Sequence, residues 1–428
     1  MQREHLKFLR NWRHDPIRVP LLIRGVRHVG KSWLVNRFGK EFSSYIEVNF
    51  EKDKRMHVLF PPHIALEKTL EGLEIYTQKK IIPGQTLLFL DEIQECPDAI
   101  QYLRYFKEEM PELHVIAAGS FLDFMLEKVG IAVGRVDYLF LYPLSFMEFL
   151  TANNRDDLRE NIEHENINTA IHAVILDYLK NYMWLGGMPV VIDTWLKHKD
   201  ASLCQSVQDH LIKTYIKDVQ KYAKADQVEH VGHVFSSIPQ QLGKKFKYSG
   251  VNPDVKTYPI KQALHLLHQA GITYPCFHTS IDSYPLGAEA NEKKFKVFFF
   301  DIGIAQRILG LDLAKWVTDP FYVKQLGFSA EQLVAQEFIA YSEPSQKGEI
   351  YTWYHESASS QATVDFITRR HQEIIPVEVK SKTQGGMKSL KNFLGKYPSS
   401  PYGIRISEGM FNRQSPLHEI PLYGVKKI

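Results

Sequence analysis

The sequence predicts an α/β protein whose amino-terminal part is a parallel β-sheet of the P-loop nucleotide-binding type. Two observations support this fold class. Charged segments of helical length separate four short apolar runs, as is typical of buried parallel strands; the runs cover residues 19–23, 44–48, 87–90 and 115–118. The first run leads into a glycine-rich motif and the third into two acidic residues, which is the context that a phosphate-binding loop requires.

The composition is that of an ordinary globular protein with several domains, because 428 residues are too many for one hydrophobic core. Lys and Arg number 52 against 49 Asp and Glu, so net charge alone gives no indication of nucleic-acid binding. Cys96, Cys204 and Cys276 lie far apart, which favours a reducing compartment. The first residues lack a signal peptide, and no apolar run approaches the roughly 20 residues that span a bilayer. We therefore expect a cytoplasmic protein without a membrane partner.

The glycine-rich motif has the pattern G-x-x-x-x-G-K-S, followed by a helix-like segment. Its backbone N–H groups are expected to surround the β-phosphate of a nucleotide, with help from the helix dipole. The expected nucleotide-binding residues are Gly25, Val26, Arg27, His28, Val29, Gly30, Lys31, Ser32 and Trp33. Lys31 is also a catalytic candidate, because its side chain can reach the β- and γ-phosphates of ATP. The Ser32 hydroxyl is expected to bind Mg²⁺. The alternative is a strand-to-helix turn that binds nothing.

Two acids directly follow the predicted strand at 87–90. We expect Asp91 to hold Mg²⁺, directly or through water, and Glu92 to polarise the attacking water. The alternative is a strand that ends in two solvated acids. The next predicted strand ends at Gly119 and Ser120, and a polar side chain at that position is expected beside the γ-phosphate, so Ser120 is a further catalytic candidate.

The rest of the chain changes pattern twice. Apolar residues at helical spacing predict helices at 170–183 and 203–221, with a break at 186–189. Between 227 and 278, three short helix-like segments precede a strand-like piece, which is the order of a winged helix. After residue 301, a predicted amphipathic helix and three predicted strands indicate a separate α/β module; these elements cover 327–341, 350–354, 363–368 and 374–379.

Several short motifs, taken in order, resemble those of a bacterial and archaeal family of AAA-type ATPases with a carboxy-terminal restriction-endonuclease-like domain. The motifs are Arg27 in the P-loop and the segments 90–94, 118–120, 134–136, 143–146, 186–189, 300–303 and 376–380. The resemblance implies an AAA-type P-loop core at 1–155 and a helical lid at 156–225. A winged-helix-like domain at 226–300 and a restriction-endonuclease-like α/β domain at 301–428 would follow.

The resemblance also implies a role for Arg135, which occupies the family's Gly-Arg position. Such an arginine stabilises the charge that develops on the γ-phosphate, either in cis or from a neighbouring subunit of a homo-oligomer. The alternative is a structural arginine that pairs with a nearby acid.

Three acids and a lysine in the last segment occur in the order of a restriction-endonuclease-like metal site. Glu378 and Lys380 lie two residues apart on a predicted strand and therefore share a face. Asp365 is the only charged residue of the preceding strand, and Glu331 lies near the start of the predicted helix. Carboxylates in such a site hold Mg²⁺ against a phosphodiester, and the lysine stabilises charge. The alternatives are an ordinary edge strand and a retained fold used only for binding.

The sequence therefore predicts an enzyme, a Mg²⁺-dependent ATPase, with two interpretations of its carboxy-terminal domain. In the first, ATP hydrolysis is coupled to a nucleic-acid-associated, nuclease-fold domain. In the second, ATP drives a conformational or assembly switch, and that domain only binds a partner. The candidate partners are DNA or RNA, which the basic residues at 244–247 would contact, and further copies of the chain.

Overall fold

The computed structural model describes residues 2–62, 64–129, 134–280, 286–311, 327–357, 360–370, 373–380 and 387–428. Within these residues the strands form one sheet of five strands and one of seven. None of the helices in these ranges has the length and apolar character needed to cross a bilayer.

The five-stranded sheet is entirely parallel, with the order β2-β3-β4-β1-β5. Its strands are β1 (Leu21–Arg24), β2 (Ser44–Asn49), β3 (Thr86–Asp91), β4 (His114–Gly119) and β5 (Asp137–Phe140). The predicted parallel P-loop sheet is confirmed. Because all strands run the same way, the carboxyl ends of β1, β3 and β4 meet at one edge, where ligands bind in such folds.

Helices cover both faces of this sheet. They are α1 (His5–His14), α2 (Lys31–Gly39), α3 (Leu66–Thr77), α4 (Pro97–Glu109), α5 (Leu122–Val129) and α6 (Phe146–Ala152). Alternate residues of one strand enter separate hydrophobic cores: Phe89 lies in one core, and Leu88 and Leu90 lie in the other. Burial on both faces explains why these strands read as continuous apolar runs in the sequence.

The helices that follow α6 belong to the helical segment after the five-stranded sheet and to the carboxy-terminal part of the chain. They are α7 (Asp156–Glu163), α8 (Thr169–Leu185), α9 (Pro189–His198), α10 (Ala201–Gln220), α11 (Val228–Ser237), α12 (Thr257–Gln269), α13 (Ile302–Ile308), α14 (Gly327–Ala340) and α15 (Lys388–Lys396). The predicted break between α8 and α9 occurs at Gly186, whose φ of 76° is readily adopted by glycine.

The seven-stranded sheet has the order β12-β11-β10-β9-β8-β6-β7. Its strands are β6 (Thr273–His278), β7 (Asn291–Phe299), β8 (Ile350–Ser357), β9 (Ser360–Arg370), β10 (Glu373–Val379), β11 (Gly403–Ser407) and β12 (Leu417–Pro421). β6 pairs in parallel with β8 from Cys276 to His278. The domain boundary predicted between residues 300 and 301 therefore passes through one continuous sheet.

Buried polar contacts attach α14 to the amino-terminal core. The Glu337 carboxylate accepts hydrogen bonds from the Phe146 backbone N–H at 3.0 Å and from the Tyr182 hydroxyl at 2.9 Å. At the preceding residue, the Gln336 side-chain oxygen accepts a hydrogen bond from the Ile302 N–H at 2.8 Å. Burial raises the pKa of Glu337 to about 7. Groups buried in this way are satisfied only when the elements that carry them stay docked.

Asp301 makes a second buried link, between the break after α8 and the start of α13. One carboxylate oxygen accepts from the Gly187 N–H at 2.6 Å, and the other accepts from the Ile304 N–H at 2.9 Å. A Cβ at Gly186 would lie 2.1 Å from the Asp301 carboxylate, so only glycine fits there. The motifs at 186–189 and 300–303 therefore contact each other through the Asp301 carboxylate.

Candidate functional site

The P-loop joins β1 to α2 in the conformation that its glycines permit. Gly25 and Gly30 have φ angles of 157° and 102°. A Cβ at Gly25 would lie 2.3 Å from the Leu141 carbonyl oxygen, so the loop requires glycine there. His28 also adopts a left-handed conformation, with φ of 65°. Positive φ angles of this kind allow a loop to turn successive backbone N–H groups inward, which is the arrangement that binds phosphate.

Lys31 is the central cation of this loop and is only 5% exposed. Its Nζ donates to the carbonyl oxygens of Gly25 at 3.0 Å and Val26 at 3.2 Å. Burial lowers the pKa of Lys31, while the charges of Glu92 and Asp91 act in the opposite sense. The ammonium is thus held by neutral carbonyls of its own loop, and phosphate oxygens are stronger acceptors than these.

The two residues expected to hold Mg²⁺ lie in contact across neighbouring elements. The Ser32 hydroxyl donates to the Asp91 carboxylate at 2.8 Å, and the Asn49 amide donates to the same oxygen at 2.9 Å. Burial raises the pKa of Asp91 to about 6. A hydroxyl, a carboxylate and an amide are hard oxygen-bearing side chains of the kind that Mg²⁺ accepts, so the residues fit the ion. Asn49 was not anticipated from the sequence, although it ends the strand next to β3.

Glu92, the expected general base, occupies a constrained turn after β3. Its φ is 50°, an uncommon value for a residue with a side chain. The Gln94 amide donates to the Glu92 carboxylate at 2.6 Å. A Cβ on Gly119 would lie 2.4 Å from the Gln94 side-chain oxygen, so the end of β4 packs tightly against this glutamine. Gln94 is a further residue that sequence reasoning missed, and it fixes the position of the candidate base.

Ser120 and Arg135 lie at opposite edges of the sheet. Ser120 is buried and follows the end of β4, which pairs with the end of β1 at the P-loop edge. Arg135 precedes β5 at the amino-terminal edge, where it forms an ion pair with Glu108 near the end of α4. Within one chain, Arg135 is paired with a nearby acid, and this position favours the structural alternative over a catalytic role in cis.

The helical segment contacts the P-loop through Arg27. The Tyr215 hydroxyl of α10 donates to the Arg27 carbonyl oxygen at 2.9 Å. The Arg27 guanidinium reaches the Asp218 carboxylate of α10 at 3.3 Å and the Glu51 carboxylate at 2.5 Å. A movement of α10 would therefore be transmitted directly to the phosphate-binding loop.

A cleft of about 1070 Å³ opens beside Trp33, the last of the expected nucleotide-binding residues. Trp33 is 43% exposed. One wall consists of α1 residues, and another consists of Tyr341 to Pro344 together with Lys426. The segment after α14 and the carboxy terminus thus share a cleft with the first turn of α2.

In the carboxy-terminal part, a lysine lies between two of the predicted metal ligands. Lys296 of β7 places its Nζ 2.8 Å from the Glu331 carboxylate and 3.0 Å from the Asp365 carboxylate. Burial and the charge of Asp365 raise the pKa of Glu331 to about 7. Burial alone would lower the pKa of Lys296, but Asp365 and Glu331 outweigh it and raise that pKa. Sequence reasoning missed Lys296, which lies in a different predicted domain.

The backbone around Asp365 explains how this acid reaches the lysine. The pairing of β8 with β9 changes register between Tyr351 and Trp353, which leaves an extra residue in β9 beside Asp365. Such bulges redirect side chains and recur next to functional sites. The second Asp365 oxygen accepts a hydrogen bond from the Val379 N–H at 3.0 Å.

The other predicted pair is also in contact. Lys380 Nζ lies 2.6 Å from one Glu378 oxygen. The second Glu378 oxygen is buried without a hydrogen-bond partner among the residues that the structure describes. A divalent ion shared by Glu331 and Asp365 would have to replace the Lys296 ammonium, so these residues do not fit a metal as arranged. In the same part of the chain, no three His, Cys, Asp or Glu side chains are grouped to hold one.

The basic segment before α12 presents its charges to solvent. Lys244, Lys245 and Lys247 are exposed, whereas Phe246 is buried and stacks on Phe295 of β7. The lysines are thus available to a polyanion while the aromatic residue anchors the segment.

Three parts of the chain match known protein families. Residues 18–150 match a family described as AAA domain, residues 176–315 match a domain of unknown function (DUF8612), and residues 326–423 match another (DUF4143). Residues 18–150 are therefore similar in sequence to AAA domains, in agreement with the parallel sheet and the P-loop that they form. The other two families carry no assigned function, so the winged-helix-like and restriction-endonuclease-like domains stay predictions.

No curated protein matches the chain. Among solved structures, the Walker-type ATPase paby2304 of Pyrococcus abyssi shares 14% identity, with a TM-score of 0.47 over 72% of this chain and 95% of that one. The Orc1 protein of Aeropyrum pernix in complex with DNA shares 13% identity, with a TM-score of 0.30 over 76% and 95%. Drosophila ORC bound to DNA shares 10%, with a TM-score of 0.27 over 72% and 94%. At these scores the three carry no inference about this chain.

Proposed function

We propose that this chain binds and hydrolyses ATP in the presence of Mg²⁺ at the edge of its five-stranded sheet. The observation that carries the proposal is the contact between Ser32 in the P-loop and Asp91 at the end of β3, at 2.8 Å. A hydroxyl and a carboxylate from separate motifs meet beside a buried lysine, and this combination serves phosphoryl transfer. A glycine-rich turn that binds nothing would not need these groups together.

Each residue then has a distinct task. Lys31 exchanges its two carbonyl contacts for β- and γ-phosphate oxygens of ATP. Ser32 and Asp91 would hold Mg²⁺, which would neutralise charge on the phosphates. Glu92 accepts the proton of the attacking water, and the hydrogen bond from Gln94 keeps its carboxylate in place. Ser120 lies at the same edge and is the candidate for a contact with the γ-phosphate.

The nucleoside is proposed to occupy the cleft beside Trp33. The cleft volume of about 1070 Å³ exceeds what a nucleoside needs. The exposed indole offers an aromatic face on which a base can stack. Because Tyr341 and Lys426 also line this cleft, a nucleoside bound there would contact the carboxy-terminal part of the chain.

Hydrolysis is proposed to be coupled to the carboxy-terminal domain through buried polar contacts. Tyr215 joins α10 to the P-loop, Asp301 joins the α8–α9 break to α13, and Gln336 joins the start of α13 to α14. The same helix carries Glu331 of the acidic cluster. Each contact buries polar groups that lose a partner if its elements separate.

Two roles for the carboxy-terminal domain follow from the sequence, a nuclease-fold domain that acts on nucleic acid and a domain that only binds a partner. The lysine between Glu331 and Asp365 favours the second role. Nucleic acid remains the proposed partner, since Lys244, Lys245 and Lys247 are exposed together. Arg135 is proposed to act only in trans, within a homo-oligomer.

ATP hydrolysis is tested with two pairs of matched variants. Glu92→Gln should retain ATP binding and lower kcat by about 10²–10⁴-fold, because the general base is lost. Glu95→Gln is its control, an isosteric change at an exposed acid of the same turn. Lys31→Ala should weaken ATP binding by about 100-fold, whereas Lys40→Ala, at the exposed end of α2, should not. Phosphate release and calorimetric ATP binding are the measurements.

Two results would contradict these proposals. Tight ATP binding by Lys31→Ala would exclude the P-loop as the phosphate site. Metal-dependent cutting of DNA or RNA that disappears in Asp365→Ala would exclude the binding-only role of the carboxy-terminal domain.

A further inference from the structure

We infer that Lys296 is the resident cation of the carboxy-terminal acidic cluster, so that Glu331 and Asp365 form a closed ion-paired clamp and not a divalent-metal site. The cluster lies outside the nucleotide site, and its test needs no nucleotide. Together with the proposed function, on which this step rests, the inference gives a domain that binds nucleic acid and does not cut it.

The geometry leaves no position for a second cation between the two acids. Lys296 Nζ lies within 3.0 Å of both carboxylates, and the residue is only 3% exposed. A divalent ion would bind the same oxygens at about 2.0–2.6 Å. Both positions cannot be occupied at once, because the ammonium already lies where the bridging ion would be. Metal binding would therefore require Lys296 to leave.

Removal of the ammonium from this position is unfavourable. A buried charge that loses its partners costs several kcal/mol. The β7 strand that carries Lys296 is fixed on one side by its pairing with β6, from Thr273↔Phe299 to Phe277↔Phe295. The exit of the side chain would thus need a partner elsewhere or a movement of the strand.

Two of the remaining acceptors of the cluster are also engaged. The second Asp365 oxygen is occupied by the Val379 N–H at 3.0 Å, and one Glu378 oxygen is occupied by Lys380 at 2.6 Å. The three carboxylates and two ammonium groups therefore form two ion-paired sets, one of Lys296 with Glu331 and Asp365 and one of Lys380 with Glu378. The two ammonium groups offset most of the negative charge that would attract a further divalent cation.

The clamp also has a structural consequence. Lys296 belongs to the β6–β7 hairpin, Glu331 to α14 and Asp365 to β9. One lysine therefore ties the hairpin before residue 300 to two elements after it. This role explains a fully buried lysine in a strand where the lysine at position 293 is exposed.

The test is a gain of metal binding by the nucleotide-free full-length protein. Lys296→Met keeps the unbranched side chain as far as the ε position and removes the ammonium group, so the two carboxylates become free. Titration with Mn²⁺, followed by electron paramagnetic resonance, should reveal one additional ion per chain in Lys296→Met. Wild type and Lys296→Arg should lack this ion, and Asp365→Asn added to Lys296→Met should abolish it. Thermal unfolding of Lys296→Met should move upward with Mn²⁺, while that of wild type should not.

A second measurement uses only the wild-type protein and therefore does not depend on how a variant folds. Lysine acetylation followed by mass spectrometry should leave Lys296 unmodified both with and without Mn²⁺, and Lys293 should react in both. Reaction of Lys296 only when Mn²⁺ is present would show that the metal displaces it, which overturns the inference. A folded Lys296→Met that gains no Mn²⁺, or a wild-type Mn²⁺ site that Glu331→Gln removes, would overturn it as well.

Discussion

Two buried lysines, Lys31 and Lys296, differ in the groups that surround them, and this difference decides whether a ligand can bind at each site. Both are almost inaccessible to solvent, at 5% and 3%. Lys31 donates to two neutral carbonyl oxygens of its own loop. Lys296 lies between two carboxylates from distant parts of the chain.

The difference lies in what an incoming ligand has to displace. Phosphate offers Lys31 a charged acceptor in place of two neutral ones, so binding gains energy. A metal ion could bind the acids around Lys296 only after the ion pairs between these acids and Lys296 had been broken. Burial of an ionisable group therefore does not by itself indicate a functional site, and the charge of its partners is the deciding observation.

The largest expected effect is on stability. Lys296→Ala should destabilise the protein by about 3–5 kcal/mol, because two acids then face each other without a cation. Lys31→Ala should stay within about 1 kcal/mol of wild type, because only contacts to backbone carbonyls are lost. Urea-induced unfolding without nucleotide or divalent cation measures both.

Lys293→Ala serves as the control for this pair, since it removes an exposed lysine from the same strand. Equal losses of stability for Lys296→Ala and Lys31→Ala would show that the two lysines do not differ in the way proposed.

A smaller effect is expected from pH. The pKa of Glu331 is raised to about 7 from an ordinary value of 4.5. The folded state therefore holds this proton more tightly than the unfolded state. The stability that Glu331 contributes is complete below pH 4.5 and is lost as pH rises to about 7. Relative to Glu331→Gln, wild type should lose about 2 kcal/mol between pH 5 and pH 8.

The measurement is urea-induced unfolding of both proteins at a series of pH values. A parallel pair, Glu343→Gln and wild type, controls for the exposed acids of the same region. If the difference between wild type and Glu331→Gln were constant over this range, two acids sharing one ammonium would be the wrong description.

The smallest effect is expected at Arg135. Its ion pair with Glu108 is partly exposed and screened by solvent, so Arg135→Ala should change stability by less than about 1 kcal/mol. At protein concentrations low enough to keep the chain monomeric, ATP hydrolysis should change by less than about twofold, because the pair lies away from the P-loop. Steady-state hydrolysis at increasing protein concentration measures this. A large deficit that is already present in the monomer would restore the role in cis.

The long, strongly patterned elements of the fold could be predicted from the sequence. The apolar run at 87–90 is β3 (Thr86–Asp91), and the predicted helix at 327–341 is α14 (Gly327–Ala340). β5 (Asp137–Phe140) was not anticipated, because it has four residues and is only partly buried. Its stability comes from pairing with β1, which no local pattern records.

The candidate sites divide in the same way. Lys31, Ser32, Asp91 and Glu92 belong to short motifs, and the residues of each motif are close in space because they are close in sequence. Gln94 follows Glu92 by two positions, so the turn that joins them could have suggested its contact. Nothing near Glu331 or Asp365 in the sequence indicates Lys296, which lies 35 and 69 positions away from them.

The sequence by itself determined the phosphate-binding loop, since its glycines and lysine dictate a backbone conformation within eight consecutive residues. It also determined the acids that could hold a cation, Asp91, Glu331, Asp365 and Glu378. Only the tertiary structure decided whether those acids are open to a cation or already paired with one. The physical reason is that an ion pair depends on distance in space, and strands far apart in the chain become neighbours only when the sheet forms.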